Sequence, residues 1–125
     1  MTYIYLASPY THHDEAVRES RYEAVRDATA WLMRKQQWVF SPILHCHDLA
    51  KAHGLPVDHI YWDKYDYQMV KSANGILVLT IMGWTQSEGI KKEIKWAGEL
   101  GLPVKYMRPV RTRYVVSSRA PKNTL

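Results

Sequence analysis

Four consecutive apolar residues, Ile76-Leu77-Val78-Leu79, with an amphipathic helix starting eight residues later, constrain this chain more than any other feature. A strand apolar on both faces lies between two layers of helix, as central parallel strands do. Ser87 is a natural helix cap and Gly101 a natural stop, so a helix over 87–100 is expected. Within it Ile90, Glu93, Ile94 and Ala97 fall at i, i+3, i+4 and i+7, which puts a glutamate on the apolar stripe. Glu88, Lys91, Lys92 and Lys95 take the other faces. An ionised carboxylate among apolar side chains costs free energy unless it is paired, hydrogen-bonded or open to a cleft. A helix that starts at the carboxyl end of a strand supplies such a cleft, because open α/β sheets bind their ligands there. Glu93 is therefore the first candidate functional residue.

The rest of the chain continues this alternation. Thr2 to Ala7 reads as a first strand, ended by Ser8-Pro9-Tyr10, and Thr11 with Asp14 reads as a capping box for a helix to about Arg34. Gln37 to Ser41 reads as a second strand that Pro42 terminates. The segment 43–57 then reads as a loop with a short helix at Asp48–His53, closed by Gly54. Asp58 is expected to cap a helix to about Ala73, Asn74-Gly75 to turn into the central strand, Pro103 to Met107 to form a fourth strand and Tyr114 to Val116 a fifth. Strands alternating with helices imply an α/β fold: a single-domain, Rossmann-like (flavodoxin-like) three-layer sandwich with a mainly parallel sheet of four or five strands. The domain is expected over 1–116, with a basic tail over 117–125.

A length of 125 residues suits one domain, and 46% hydrophobic with 23% charged residues excludes a disordered chain. The net charge of +5 is uneven: Lys105, Arg108, Arg111, Arg113, Arg119 and Lys122 face no acidic residue after Glu99. A nucleic-acid surface spreads its basic residues more widely, so the expectation is a small anionic ligand and no nucleic acid polymer; a disordered polycation-like tail is the alternative. Cys46 is alone, which excludes an intrachain disulfide and suits a reducing compartment. With no charged leader before an apolar run and no run near ~20 apolar residues, the chain reads as soluble and cytoplasmic, with no membrane partner.

A second carboxylate is sought on the helix before the central strand. Asp66 aligns with Trp62, Met69, Val70 and Ala73, and Asp63 competes from the stripe of Ile60, Tyr67 and Val70. Two carboxyl groups near the top of one sheet can divide labour, one as ionised nucleophile or base and one as acid. Solvated aspartates that cap neighbouring loops are the alternative. His12, His13, His45, His47 and Asp48 invite a metal hypothesis, but no spacing fixes a ligand set, and neither metal nor cofactor is expected. Cys46 lacks an evident orienting acid and reads as a plain loop residue. The five tryptophans fall mostly on apolar faces, and Trp84, after the central strand, is also placed to stack on a base.

Ser87-x-Gly89-Ile90-x-x-Glu93-x-x-x-Ala97 resembles the signature of the nucleoside 2-deoxyribosyltransferase superfamily, which includes nucleoside 5'-monophosphate N-glycosidases. Ile4-Tyr5-Leu6-Ala7-Ser8-Pro9 is similar to its first strand and sugar-binding loop, and Asp66-x-x-x-Val70-x-x-Ala73-Asn74 to its aspartate-bearing helix. The matches run in order over about residues 3–107. The resemblance implies Glu93 as nucleophile, Tyr5 as its orienting partner and Asp66 as a sugar- or base-contacting acid. It also implies substrate contacts at Ser8, Pro9, Ser87 and Gly89; Trp84, His45 and Asp63 join them as candidate substrate contacts from their own positions in the sequence. Two departures stand out. Ser87 occupies a position where many transferases carry aspartate and the monophosphate glycosidases carry a phosphate-binding serine, and Asn74 replaces the usual acid at the end of the aspartate helix.

The chemistry is consistent with those roles. A glycosidic carbon leaves its base through an oxocarbenium-like transition state that a carboxylate beneath the sugar can attack or stabilise. Glu93 lies within two turns of its helix N-terminus, so the dipole is expected to hold it ionised. Ser87 and the first-turn N–H groups would seat a phosphate, with Arg18, Arg21 and the C-terminal arginines as further anion contacts. The expected ligand is a nucleoside or nucleotide, a non-catalytic nucleotide-binding module is the alternative, and the number of large aromatic residues points to a homo-oligomer.

Overall fold

The computed structural model describes residues 2–56 and 59–122. Five strands and four helices follow in the order β1 (Ile4–Ala7), α1 (Glu15–Arg34), β2 (Val39–Phe40), α2 (Pro42–His53), α3 (His59–Lys71), β3 (Gly75–Leu79), α4 (Glu88–Leu100), β4 (Val104–Val110) and β5 (Arg113–Ser117). A short 3-10 turn at Trp84–Gln86 precedes α4. The strand order is β2-β1-β3-β4-β5, parallel except for the antiparallel β4–β5 hairpin. This is the flavodoxin-like order, and its switch point lies between β1 and β3, where the chain stops building leftward and starts building rightward. Right-handed crossovers on opposite sides of that point put α1 and α4 on opposite faces of the sheet. The result is the expected three-layer α/β sandwich.

Two cores result. Tyr5, Ala7, Ile76 and Val78 pack under α3 and α4 with Val70, Ala73, Ile90 and Ala97, whereas Leu6, Leu77, Leu79 and Met107 pack under α1 with Val25, Ala28 and Leu32. The period-2 alternation of β1 and β3 feeds both layers, so neither strand has a solvent face. Gly75 is required by close approach, since a Cβ there would lie 2.9 Å from the Pro103 carbonyl oxygen.

Several boundaries differ from expectation. Asp14, not Thr11, caps α1, accepting from the Ala16 N–H at 2.9 Å. Pro42 ends β2 but also opens α2, which runs unbroken to His53 where a loop with one short helix was expected. Ser41 caps α2 by accepting from the Leu44 N–H at 3.2 Å, and a proline in the first turn forfeits only an N–H that would be unsatisfied anyway. Gly54 closes the helix at φ +60°, as expected. The proposed Asp58 cap lies outside the described residues. β5 includes Ser117, one residue beyond the expected domain boundary.

Candidate functional site

Glu93 sits on the inner face of α4, 7% exposed, at the distance from the helix start that the i, i+3, i+4, i+7 stripe dictates. Facing it is Tyr5, fully buried in β1, whose hydroxyl donates to Glu93 Oε2. The Tyr5 ring is held in turn by Phe40 of β2, with centroids 5.8 Å apart. Expected partners 88 residues apart in sequence are thus brought into contact.

Burial raises the Glu93 carboxyl from its ordinary 4.5 to about 8; the Tyr5 hydrogen bond opposes the rise, the Asp66 and Asp63 charges add to it, and Lys92 opposes it. The expectation that the helix dipole keeps Glu93 ionised is therefore corrected. The dipole acts within the first turn, Glu93 lies beyond it, and desolvation wins. Asp66, half-buried on α3, is itself raised from 3.8 to about 7, by burial first and by Asp63 second. Asp63 accepts from Lys92 Nζ at 2.5 Å, tying α3 to α4 beside the two carboxyl groups. The site holds two carboxyl groups raised toward neutral pH: Glu93, clasped by a buried tyrosine, is mostly protonated at pH 7, and Asp66 is about half ionised there.

Ser8 and Pro9 are buried at the carboxyl end of β1. Ser8 Oγ and Trp84 Nε1 are buried polar atoms with no partner among the described residues. A buried hydroxyl or indole N–H without a partner carries a desolvation cost that a bound polar group would relieve. Trp84 lies in the core against Tyr106, centroids 5.7 Å apart, so its ring is not an open platform. Ser87 accepts from the Ile90 N–H at 3.2 Å as the α4 cap. Gly89 is exposed in the first turn, where a Cβ would make only ordinary contact with Ser87 Oγ at 3.7 Å, so the surrounding packing does not require glycine there. His45 is exposed, its Nε2 2.7 Å from the Tyr65 hydroxyl and its ring stacked on that tyrosine. Asn74 lies at the amino end of β3, its N–H donating to the Tyr3 carbonyl at 2.8 Å.

The histidines do not converge. His12 stacks on His13, His45 pairs with Tyr65, and His47 is buried elsewhere; among the described residues no three His, Cys, Asp or Glu side chains gather as metal ligands.

The sequence offers His47, Cys46 and Arg21 as candidates but gives no sign of the surroundings that the fold provides for them. His47 on α2 is 6% exposed, with Nδ1 2.5 Å from the Tyr10 hydroxyl, Nε2 3.4 Å from Glu19 Oε1 and its ring stacked on Tyr22. It ties α1, α2 and the loop after β1 together. Cys46, its neighbour on α2, is partly buried, and its thiol is raised to about 11 by burial first and by the Asp66 charge second. Arg21 donates to the Thr11 carbonyl at 2.9 Å and lies against Gly83, where a Cβ would come within 2.2 Å of the guanidinium. Gly83 has φ +95°, so glycine there serves both the turn and the arginine. Arg18 donates to the His12 carbonyl. A helix read from Ser41-Pro42 would have put Cys46 and His47 on one element; the other contacts have no local signal.

No curated protein matches the chain. Residues 2–108 match the family described as Domain of unknown function (DUF1937), and the match covers β1 through most of β4. The chain belongs to that family.

Proposed function

We propose that this protein breaks, or transfers across, the N-glycosidic bond of a nucleoside or nucleoside 5'-monophosphate. The observation that carries the reading is the buried Tyr5–Glu93 hydrogen bond beside Asp66, at the switch point of a flavodoxin-like sheet. In the proposed reaction a Glu93 carboxylate oxygen bonds to the anomeric carbon while the carbon–nitrogen bond breaks and its electron pair leaves with the base. Asp66, raised to about 7, supplies the proton that the departing base takes up. Water, or the ring nitrogen of a second base, then attacks the anomeric carbon of the glycosyl ester, returns its proton to the Asp66 carboxylate and frees the Glu93 carboxylate. Tyr5 orients the nucleophile and, by donating to it, favours its anionic form.

The phosphate preference rests on different atoms. Ser87 caps α4 with exposed Gly89 in its first turn, and the unpartnered Ser8 hydroxyl and the Arg21 guanidinium belong to the loops after β1 and its helix. A partner subunit would help close this crevice. Exposed Trp38, Ile60, Tyr61 and Tyr65 support the homo-oligomer reading, and a cytoplasmic location remains part of the proposal, alongside the absence of any described helix long and apolar enough to cross a membrane. The alternative, a non-catalytic nucleotide-binding module, draws on one observation: at neutral pH a carboxyl held at about 8 is mostly protonated and not nucleophilic. Incubation with a panel of deoxynucleoside monophosphates and nucleosides, with assay of released base, separates the two. Base release that Glu93→Gln abolishes supports the enzyme; binding without base release from any member leaves the module.

A further inference from the structure

A cavity of about 380 Å³ opens at the amino ends of β1, β3 and β4, on the sheet face opposite Glu93. It follows from the topology. The chain turns from β4 into an antiparallel hairpin instead of a further crossover helix, so α1 faces a sheet that extends beyond it. Leu77 and Val116 form the floor and Trp31 of α1 a wall. In the pairing register Leu77 lies opposite Lys105 and Met107 opposite Val116, which brings the Lys105 side chain to this same face. Lys35 Nζ sits 4.7 Å from the centre of the Trp31 ring, and Gln37 stands at the rim. The described lining holds two ammonium groups and no carboxylate.

We propose that this cavity binds a small amphipathic anion: an apolar or aromatic body on the Leu77–Trp31–Val116 surface with one anionic head between Lys35 and Lys105. The volume is in the range of small-ligand sites, which are mostly apolar with a few placed polar groups. Charge decides between occupants. The chain's own C-terminal stretch carries Arg119 and Lys122, and a second copy carries +5, so both bring like charge to two lysines; a small anion brings the opposite one. The Lys35 ammonium over Trp31 is already arranged beside the aromatic wall, so head and body are recognised together.

The test uses the full chain and anilinonaphthalene sulfonate, an aromatic anion whose fluorescence rises in apolar sites, with decanoate and naphthoate as competitors and decanol as the neutral control. The expected result is saturable one-to-one binding that either acid displaces and decanol does not. Lys35→Ala with Lys105→Ala together should weaken it about tenfold. Val116→Trp, at a position 45% exposed and so tolerant of the larger ring, should block it. Glu93→Gln should leave it unchanged. Non-saturable binding, equal binding in Val116→Trp, or no effect of the two lysines overturns the proposal. So does a change of molecular mass by light scattering in Val116→Trp, which would make this face a contact between copies.

Discussion

Tyr5 on β1 donates its hydroxyl hydrogen bond to Glu93 on α4 across the inner layer of the sandwich, and both side chains are almost wholly withdrawn from water. Once Glu93 ionises, its carboxylate is worth more as a hydrogen-bond acceptor than one in solvent, because the bond is then charge-assisted and unscreened. Tyr5→Phe keeps the ring against Phe40 and removes only the donor. Under the proposed reaction, base release should fall by roughly 10–100-fold, with near-unchanged circular dichroism. A rate within a factor of two of wild type would mean that the tyrosine only fills space.

The carboxyl pair makes a prediction that does not depend on turnover. The Asp66 charge raises Glu93 and the Lys92 charge lowers it. Asp66→Asn should therefore move the Glu93 titration down from about 8, and Lys92→Met should move it up, as followed by carbon NMR of the side-chain carboxyl. Where activity is found, its acidic limb should move the same way in each variant. Shifts of the same sign in both variants would show that the two groups reach Glu93 through the backbone and not through charge.

Stability should carry the same signature. Glu93 is held at about 8 against an ordinary 4.5, and Asp66 at about 7 against 3.8. Between each pair of values the folded protein keeps a proton that the unfolded chain has lost, so stability falls as pH rises through that window. Glu93→Gln removes its share of that loss. It should be more stable than wild type by on the order of 2–4 kcal/mol at pH 9 and show no such gain at pH 4, measured by urea unfolding. Equal differences at both pH values would contradict the buried-acid description.

The elements that were legible in the sequence share one property: their signals are local. The both-faces-apolar run 76–79, the stripe that carries Glu93, the Ser87 cap and the Gly101 stop are each set within a few residues, and each appears where expected. The α2 helix departs from the expected loop because Pro42, which terminates a strand, is in Ser41-Pro42 equally a helix start. The expected loop hides Cys46 and His47. The Glu93 protonation state was misjudged because the dipole is visible in sequence whereas depth of burial is a property of the packed layers. The Tyr10–His47–Glu19 clip joins three separate segments and has no periodicity to betray it.

That clip yields the last prediction. His47 is buried, engaged at both ring nitrogens and stacked on Tyr22 at 4.1 Å, while Lys51, which reaches the same Glu19 at 3.8 Å, is 63% exposed. A buried polar centre with satisfied partners is costly to break, because Tyr10 and Glu19 would lose a partner together, whereas an exposed ion pair contributes little. His47→Leu should lower stability by about 1–3 kcal/mol and Lys51→Met by under about 0.5 kcal/mol. Tyr10 follows Ser8-Pro9 directly, so loosening it should also disorder the loop that offers the unpartnered Ser8 hydroxyl. For a monophosphate substrate the Michaelis constant should then rise more than the turnover number falls, with the nucleoside less affected. If His47→Leu proves no worse than Lys51→Met in unfolding experiments and leaves both kinetic constants alone, the clip is incidental packing and the loop is held by the Arg18 and Arg21 contacts to the His12 and Thr11 carbonyls instead.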